Sequence, residues 1–440
     1  MTPDPRALVQ LAYGRGVIPF RFDPDRFDLL EPDSGTSAAR EVGDDQALLA
    51  ALESPIDSAP LSELIRPHDH VLVVVPDATR ASGSARVTTL LRSHLAALGV
   101  TDDRIRILIG AGTHRAPRAE EVLAIVGPEI AERLTIEAHD AFDDRQLVAV
   151  GDTPRGTPVE LNRRLTQADR VILVGAIGFH YFAGFSGGRK GILPACASDR
   201  SIQANHLLGF DRATLSKAPG VETARLDGNP VSEDMEDAAR LLPPTYLLNT
   251  VLDDRGSIAA LYAGHWYGAH RRGCAEYLAA HSVVVREQRP IVIASVGGAP
   301  RDLNLIQSHK ALEHARVVLR DGGDLILLAE CADGLGRADF LDWFVPGGAE
   351  ATAAKLVDHY RINGQTAWGI RWKAERYRVH LISALPEEWV RRTGMRPARD
   401  LAQALDSCGH GRGYIIPHGL GTLPLPSDPA SHPDRPSALR

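Results

Sequence analysis

Five short apolar runs, rich in β-branched residues, constrain this chain most: His70–Val75, Ile105–Ile109, Arg170–Val174, Ile291–Val296 and Asp324–Leu328. The first four run straight into Gly or Pro. Continuous apolar strands of this length are those covered on both faces, as in parallel sheets. Val87–Leu98 and Ala351–His359 carry helical periodicity between them. Strand, loop and helix in alternation predict an α/β protein of two α/β domains with mainly parallel sheets. Ligands of such folds bind beyond the carboxyl ends of the strands, so the cleft between the domains is where an active site is expected. The segment Ser257–Glu287 has helical spacing, lacks Pro and reads as a connection. The expected division is a first α/β domain over 1–270, a helical connection over 271–287, a second α/β domain over 288–423 and a mobile tail over 424–440, rich in Pro, Ser and Asp.

The chain has 440 residues, enough for two or three domains. Lys and Arg total 49 against 56 Asp and Glu, a net charge of −7 that argues against a general nucleic-acid partner. The four cysteines (Cys196, Cys274, Cys331 and Cys408) are scattered and form no CxxC, so neither a disulfide framework nor a cysteine zinc site is expected. That suits a reduced, cytoplasmic setting. No apolar stretch reads as a signal peptide or a membrane span, and no membrane partner is expected.

The loops after the strands carry the chemistry. They are Pro76-Asp77-Ala78-Thr79-Arg80, Gly110-Ala111-Gly112-Thr113-His114-Arg115, the run from His180 through Ser186-Gly187-Gly188-Arg189-Lys190, and Gly297-Gly298-Ala299-Pro300 followed by Asp302, Asn304, Gln307 and Lys310. Four strand ends that each deliver Gly or Pro with a charged or imidazole group suggest one convergent site. Ser186, Gly187 and Gly188 can aim backbone N–H groups at a phosphate, or form a plain tight turn. Lys190 abuts an apolar run, where desolvation makes an amine nucleophilic, although a surface lysine is the commoner case. His114 and His180 suit acid–base work near neutrality. His206 lies in a probable helix and suits a metal; with His114 and His180 it could instead build a zinc site, although the tight spacing of such sites is absent. Arg80 can grip a carboxylate, with Asp77 orienting it; alternatively Asp77 or Thr79 caps a helix. Gln307 and Lys310, three apart, share one face of a helix.

These residues together resemble the lactate racemase family. The resemblance spans most of the chain and is strongest from His180 through Phe185-Ser186-Gly187-Gly188-Arg189-Lys190 and Ile192-Leu193-Pro194 to His206; Asp227-Gly228-Asn229-Pro230-Val231 shares it. It implies an isomerase, a racemase or epimerase, that inverts C2 of a 2-hydroxy acid by proton-coupled hydride transfer. The implied cofactor is a nickel-pincer nucleotide: nickel held by pyridinium-3,5-bisthiocarboxylic acid mononucleotide, covalently attached to Lys190, in an N-terminal cofactor-binding domain. It further implies that His206 is the nickel ligand and that His114 and His180 are the paired base and acid. Arg80, Gln307 and Lys310 would bind the substrate, and Asp77, Thr79, Ser186, Gly187 and Gly188 would line the cofactor. The implied partners are the small-molecule substrate and cofactor-biosynthesis enzymes. Ile306 stands where the family leads one to expect an aromatic residue, and Trp368 and Trp372 are both approximate counterparts of an active-site tryptophan. A changed pocket wall extends the expectation to substrates larger than lactate, a sugar acid among them. The competing classes are a zinc-dependent hydrolase or lyase and a non-catalytic carboxylate-binding protein.

Overall fold

A computed structural model describes residues 7–32, 45–253 and 256–427. It divides into two compact units, 37–209 with 218–277, and 1–36 with 210–217 and 278–440.

The first unit is built on a six-stranded sheet ordered Ile258–Gly264, Tyr246–Leu252, Arg170–Ala176, Val71–Pro76, Ile105–Gly110 and Thr135–Ala138. Every pairing is parallel except that of the edge strand Ile258–Gly264. Val71 through Val75 are each at most 2 % exposed, so neither face of the central strand meets water and the apolar run needs no alternation. The helix Ser84–Ala97 buries Val87, Leu91 and Leu95, one per turn, in the core that contains Val73, Val75, Ile107, Ile172 and Val174.

The second unit holds a wholly parallel sheet ordered Arg396–Ala398, Arg378–Ile382, Leu319–Leu328, Arg289–Ser295, Gly413–Ile416 and Phe27–Leu29. Its helices include Leu305–Ala315, Gly348–Asp358 and Ile362–Arg376. All five expected strands and both expected helices are present, with ends shifted by a few residues.

Three features differ from the sequence expectation. The segment 257–287 is only partly helical: Ile258–Gly264 is the antiparallel edge strand, Gly268–His281 is a helix, and Ser282–Val285 is a strand parallel to Leu423–Pro426. Backbone groups on an open sheet edge seek a partner, and that pairing overrides a weak helical pattern. The unit division does not follow chain order, because Phe27–Leu29 completes the second sheet beside Gly413–Ile416. Of the expected tail, 424–426 belongs to a strand, and 428–440 lies outside the described residues.

Ile172 is fully buried at the middle of the first sheet. Ile172→Ala should cost about 2–5 kcal/mol. In urea unfolding this appears as a lower midpoint at unchanged slope.

Candidate functional site

Leaving the strand Val71–Pro76, the chain turns tightly: the Arg80 N–H donates to the Asp77 carbonyl at 3.1 Å. Asp77 Oδ1 accepts from the Thr79 N–H at 3.1 Å and from its hydroxyl at 2.7 Å. No helix starts here; the next begins at Ser84. The other carboxylate oxygen, Oδ2, lies 2.5 Å from His114 Nδ1. His114 comes from the end of the neighbouring strand, Ile105–Gly110, where its N–H donates to the Ala111 carbonyl at 2.9 Å. Burial pushes the Asp77 carboxyl up, but the hydrogen bond and charge of His114, the Thr79 hydroxyl and the charge of Arg80 outweigh it, and the net shift is downward. An ionised Asp77 accepts the Nδ1–H of His114 and so fixes the direction in which Nε2 points.

His180 is positioned differently. Phe179–His180 pairs antiparallel with Gly184–Phe185. Gly184 has φ +76°, and a Cβ there would lie 2.1 Å from the Arg225 carbonyl oxygen, so only glycine fits the bend. Inside the hairpin, His180 Nδ1 accepts from the Ala183 N–H at 3.3 Å, while Nε2 faces Lys190 Nζ at 3.4 Å. Both ring nitrogens of His180 thus face donors, a backbone N–H at Nδ1 and the Lys190 amine at Nε2. The two imidazoles are therefore oriented differently, His114 by the Asp77 carboxylate and His180 by a backbone N–H.

Between His180 and Lys190 the loop is secured from beneath. The fully buried Arg189 donates to the Ala183 carbonyl at 2.6 Å and to the Ser232 hydroxyl at 3.0 Å, and lies 3.2 Å from His270 Nε2. The Gly188 N–H donates to Asn249 Oδ1 at 2.8 Å, and the Ser186 hydroxyl donates to the Ala176 carbonyl at 2.8 Å. Gly188 has φ +57°, and a Cβ there would stand 2.4 Å from the His270 ring. The donors of Ser186 and Gly188 are thus engaged within the fold, and the glycines answer to the close approach of Asn249 and His270. Lys190 Nζ lies 5.7 Å from the Phe182 ring centroid, and that ring is 4.7 Å from the ring of His206.

His206 lies in the helix Asp199–Leu207, capped by the Ser198 hydroxyl. Burial, and then the charge of Lys190, push it down to about 3, so it is neutral at physiological pH. Its Nδ1 is buried without a hydrogen-bond partner among the described residues. A neutral imidazole with an unspent buried nitrogen fits a metal ligand.

In the second unit, Asn304 caps the helix Leu305–Ala315, and Lys310 Nζ donates to Gln307 Oε1 at 2.5 Å, so these two do share a face. Trp368 is buried with its ring 5.3 Å from that of Phe210; Trp372 is partly buried, with the Arg316 and Arg376 guanidinium groups 5.6 and 5.3 Å from its ring centroid.

His114, His180 and His206 do not gather as a zinc site. Among the described residues, the group of metal-binding types whose ligand atoms lie within 4.8 Å of one another is Asp324, His380 and Cys408. There both Asp324 oxygens are already held, by Arg378 at 2.8 and 2.7 Å, by His380 at 3.0 Å and by the Gly409 N–H at 3.1 Å. Asn229, in the family-like Asp227–Val231 segment, accepts from the Val231 and Ser232 N–H groups and starts the helix Pro230–Leu241. Sequence reasoning missed Asn249, Arg189 and His270 as supports of the site. Asn249 left a legible signal, a lone amide within the apolar strand Tyr246–Leu252; a buried amide requires partners.

Parallel strands that end in loops bearing imidazoles, an amine and a guanidinium fit an α/β enzyme. The chain belongs to the lactate racemase family and is an isomerase. Residues 13–216 match the lactate racemase N-terminal domain and residues 284–421 the lactate racemase C-terminal domain. The chain is 30 % identical over 408 residues to the lactate racemase of Thermoanaerobacterium thermosaccharolyticum, covering 91 % of this chain and 93 % of the relative. It is 32 % identical over 332 residues to that of Lactiplantibacillus plantarum, 76 % of this chain and 77 % of the relative. The lactate racemase apoprotein structure from T. thermosaccharolyticum matches with a TM-score of 0.87 at 28 % identity, covering 95 % of this chain and 100 % of that one. A Thermotoga maritima crystal structure shares the fold at a TM-score of 0.69 and 20 % identity, over 87 % of this chain and 98 % of that one. Among the described residues no helix is long and apolar enough to cross a membrane.

His270 beneath the loop predicts a pH effect. Burial, and then the charge of Arg189, push it down to about 3. The unfolded chain, with a histidine pKa near 6.5, binds more protons than the folded one below that value, so stability falls on acidification. The slope contributed is about 1.4 kcal/mol per pH unit. His270→Gln should flatten the pH dependence of urea unfolding between about pH 6 and 4 by up to that amount.

Proposed function

We propose that the protein inverts C2 of a 2-hydroxy acid by proton-coupled hydride transfer to a nickel-pincer nucleotide. The observation that carries this reading is the pair of imidazoles held in fixed orientations, His114 by Asp77 and His180 by the Ala183 N–H. Inversion through a planar intermediate needs a proton acceptor on one face and a donor on the other. His114 Nε2 takes the hydroxyl proton of one enantiomer. His180 Nε2 returns a proton to the carbonyl oxygen of the planar 2-keto acid presented on the opposite face. For the other enantiomer the roles exchange.

The chemistry that the nickel-pincer nucleotide supplies, when bound, is reversible acceptance of hydride from C2. His206 is the candidate nickel ligand, on the strength of its unspent buried nitrogen, and a soft, imidazole-completed site suits nickel. Lys190 is the candidate covalent anchor, with Asp77, Thr79, Ser186, Gly187 and Gly188 around the nucleotide. Cofactor-biosynthesis enzymes would have to supply the group. Arg80 and Lys310, with Gln307, bind the substrate carboxylate through charge-assisted hydrogen bonds. Ile306, in place of an aromatic residue, supports a substrate larger than lactate, such as a sugar acid.

The test is an NMR assay of C2 inversion over a panel from lactate and malate to aldonates, with the chain co-produced with cofactor-building enzymes. Turnover of one member is expected and names the substrate; a chain that carries the cofactor yet binds carboxylates without turning any over would instead be a binding protein. His114→Ala and His180→Ala should each abolish inversion. Asp77→Asn, which removes the charge that orients His114, should lower kcat about 100-fold with KM little changed. Lys190→Ala should lose the cofactor's added mass in intact-protein mass spectrometry.

A further inference from the structure

The helix Asp199–Leu207, which carries His206, has nine residues. Helices this short are held in place by tertiary contacts. Here a polar face does so, entirely within the first unit. Ser201 and Asn205 lie four apart and share that face. Both are fully buried. The Ser201 hydroxyl accepts from the Glu160 N–H at 2.9 Å, in the strand Pro158–Asn162. Asn205 Nδ2 donates to the Val231 carbonyl at 3.1 Å and to Asp234 Oδ2 at 2.9 Å, both in the helix Pro230–Leu241. Both neighbours are acceptors, so the amide can face them only with its nitrogen, and its two N–H groups are spent.

The Asp234 carboxylate is itself clamped. It is fully buried; the Thr157 hydroxyl donates to Oδ2 at 2.8 Å and the Thr153 hydroxyl donates to Oδ1. These threonines close the turn between the antiparallel strands Leu147–Asp152 and Pro158–Asn162. The Thr153 N–H donates to the Thr157 carbonyl at 2.9 Å, and the Thr157 N–H to the Thr153 hydroxyl at 3.1 Å. The adjoining face of the short helix bears Ile202 and His206, again four apart and buried. Ile202 Cδ1 lies 3.8 Å from where a Cβ on Gly112 would stand, in the loop that bears His114, and the His206 ring is 4.7 Å from that of Phe182. Packing of this kind is non-directional, whereas hydrogen bonds have a required geometry. Consecutive helical residues are about 100° apart, so fixing the direction of Asn205 fixes that of His206.

We propose that Asn205 is the positioning residue of His206: clamped by Asp234, its amide sets the rotation of the helix and with it the direction of the imidazole. This rests on His206 being the nickel ligand, as proposed above. Asn205 acts through the helix backbone. Asn205→Leu removes the donor at similar volume and leaves Asp234 its two threonine hydroxyls. Asp234→Asn keeps an oxygen that accepts from Asn205 and is the conservative control.

Two measurements decide it. In the chain produced alone with carbon-13-labelled histidine, the His206 ring signal is assigned through His206→Gln. It should be a single line in the wild type and in Asp234→Asn, and shifted or broadened in Asn205→Leu. The ring signals of His309 and His380, in the second unit, should stay in place as a guard against general unfolding. In the chain co-produced with the cofactor-building enzymes, nickel release to a chelator, followed by elemental mass spectrometry, should be about 10-fold faster in Asn205→Leu and unchanged in Asp234→Asn. Should Asn205→Leu not fold, Thr157→Val, which loosens the clamp from outside the helix, takes its place in both measurements. An unchanged His206 signal overturns the positioning role. So does wild-type nickel retention in Asn205→Leu when His206→Ala loses the metal. If His206→Ala itself keeps nickel as tightly as the wild type, the ligand assignment fails instead, and the ring signal alone judges Asn205.

Discussion

The parallel pairing of Val71–Pro76 with Arg170–Ala176 on one side and Ile105–Gly110 on the other is the constraint on which the site depends. Parallel strands all point one way, so their carboxyl ends share one edge of the sheet. Asp77 and His114 follow adjacent strands and can therefore meet, although 37 positions apart in sequence. The apolar runs that build the ladder carry no chemistry. Their burial fixes where the next few residues begin.

A proton-transfer site needs rings in fixed orientations more than it needs unusual residues. His114 is oriented by a carboxylate, and His180 by a backbone N–H at Nδ1 with the Lys190 amine at Nε2. The second orientation is the more indirect. The Ala183 backbone, whose N–H holds His180, also accepts from Arg189, which is held in turn by Ser232 and stands against His270. A buried guanidinium is costly unless its donors are used. Here Nη2 ties the loop that carries both His180 and Lys190 to Ser232, while Nε finds no partner among the described residues.

The second unit is organised around charge rather than glycine. Glu313 gathers Lys217, Arg316 and Lys373, and burial of the carboxylate is offset by three cations. The same helix bears Gln307 and Lys310. The aromatic pair Phe210 and Trp368 lies in this unit's core, so one of the two tryptophans singled out from sequence meets a residue that reaches the core only through a loop excursion.

Much of this was legible in one dimension. Short β-branched runs ending in Gly or Pro determined the strands and their parallel arrangement, because full burial demands continuous apolarity. The motif residues from Asp77 to Lys310 determined the family. Sequence could not reveal that Ile258–Gly264 turns back as an edge strand, since edge pairing is a long-range choice that local periodicity does not encode. Nor could it reveal that Phe27–Leu29 completes the far sheet. It also could not reveal what packs against Gly188. The tertiary structure brings Asn249 and the His270 ring against it, 61 and 82 positions away, and the ring leaves no room for a Cβ. Local chemistry is written in residue types. Which partner a polar group finds, and hence which nitrogen keeps its proton, is decided only when the chain closes on itself.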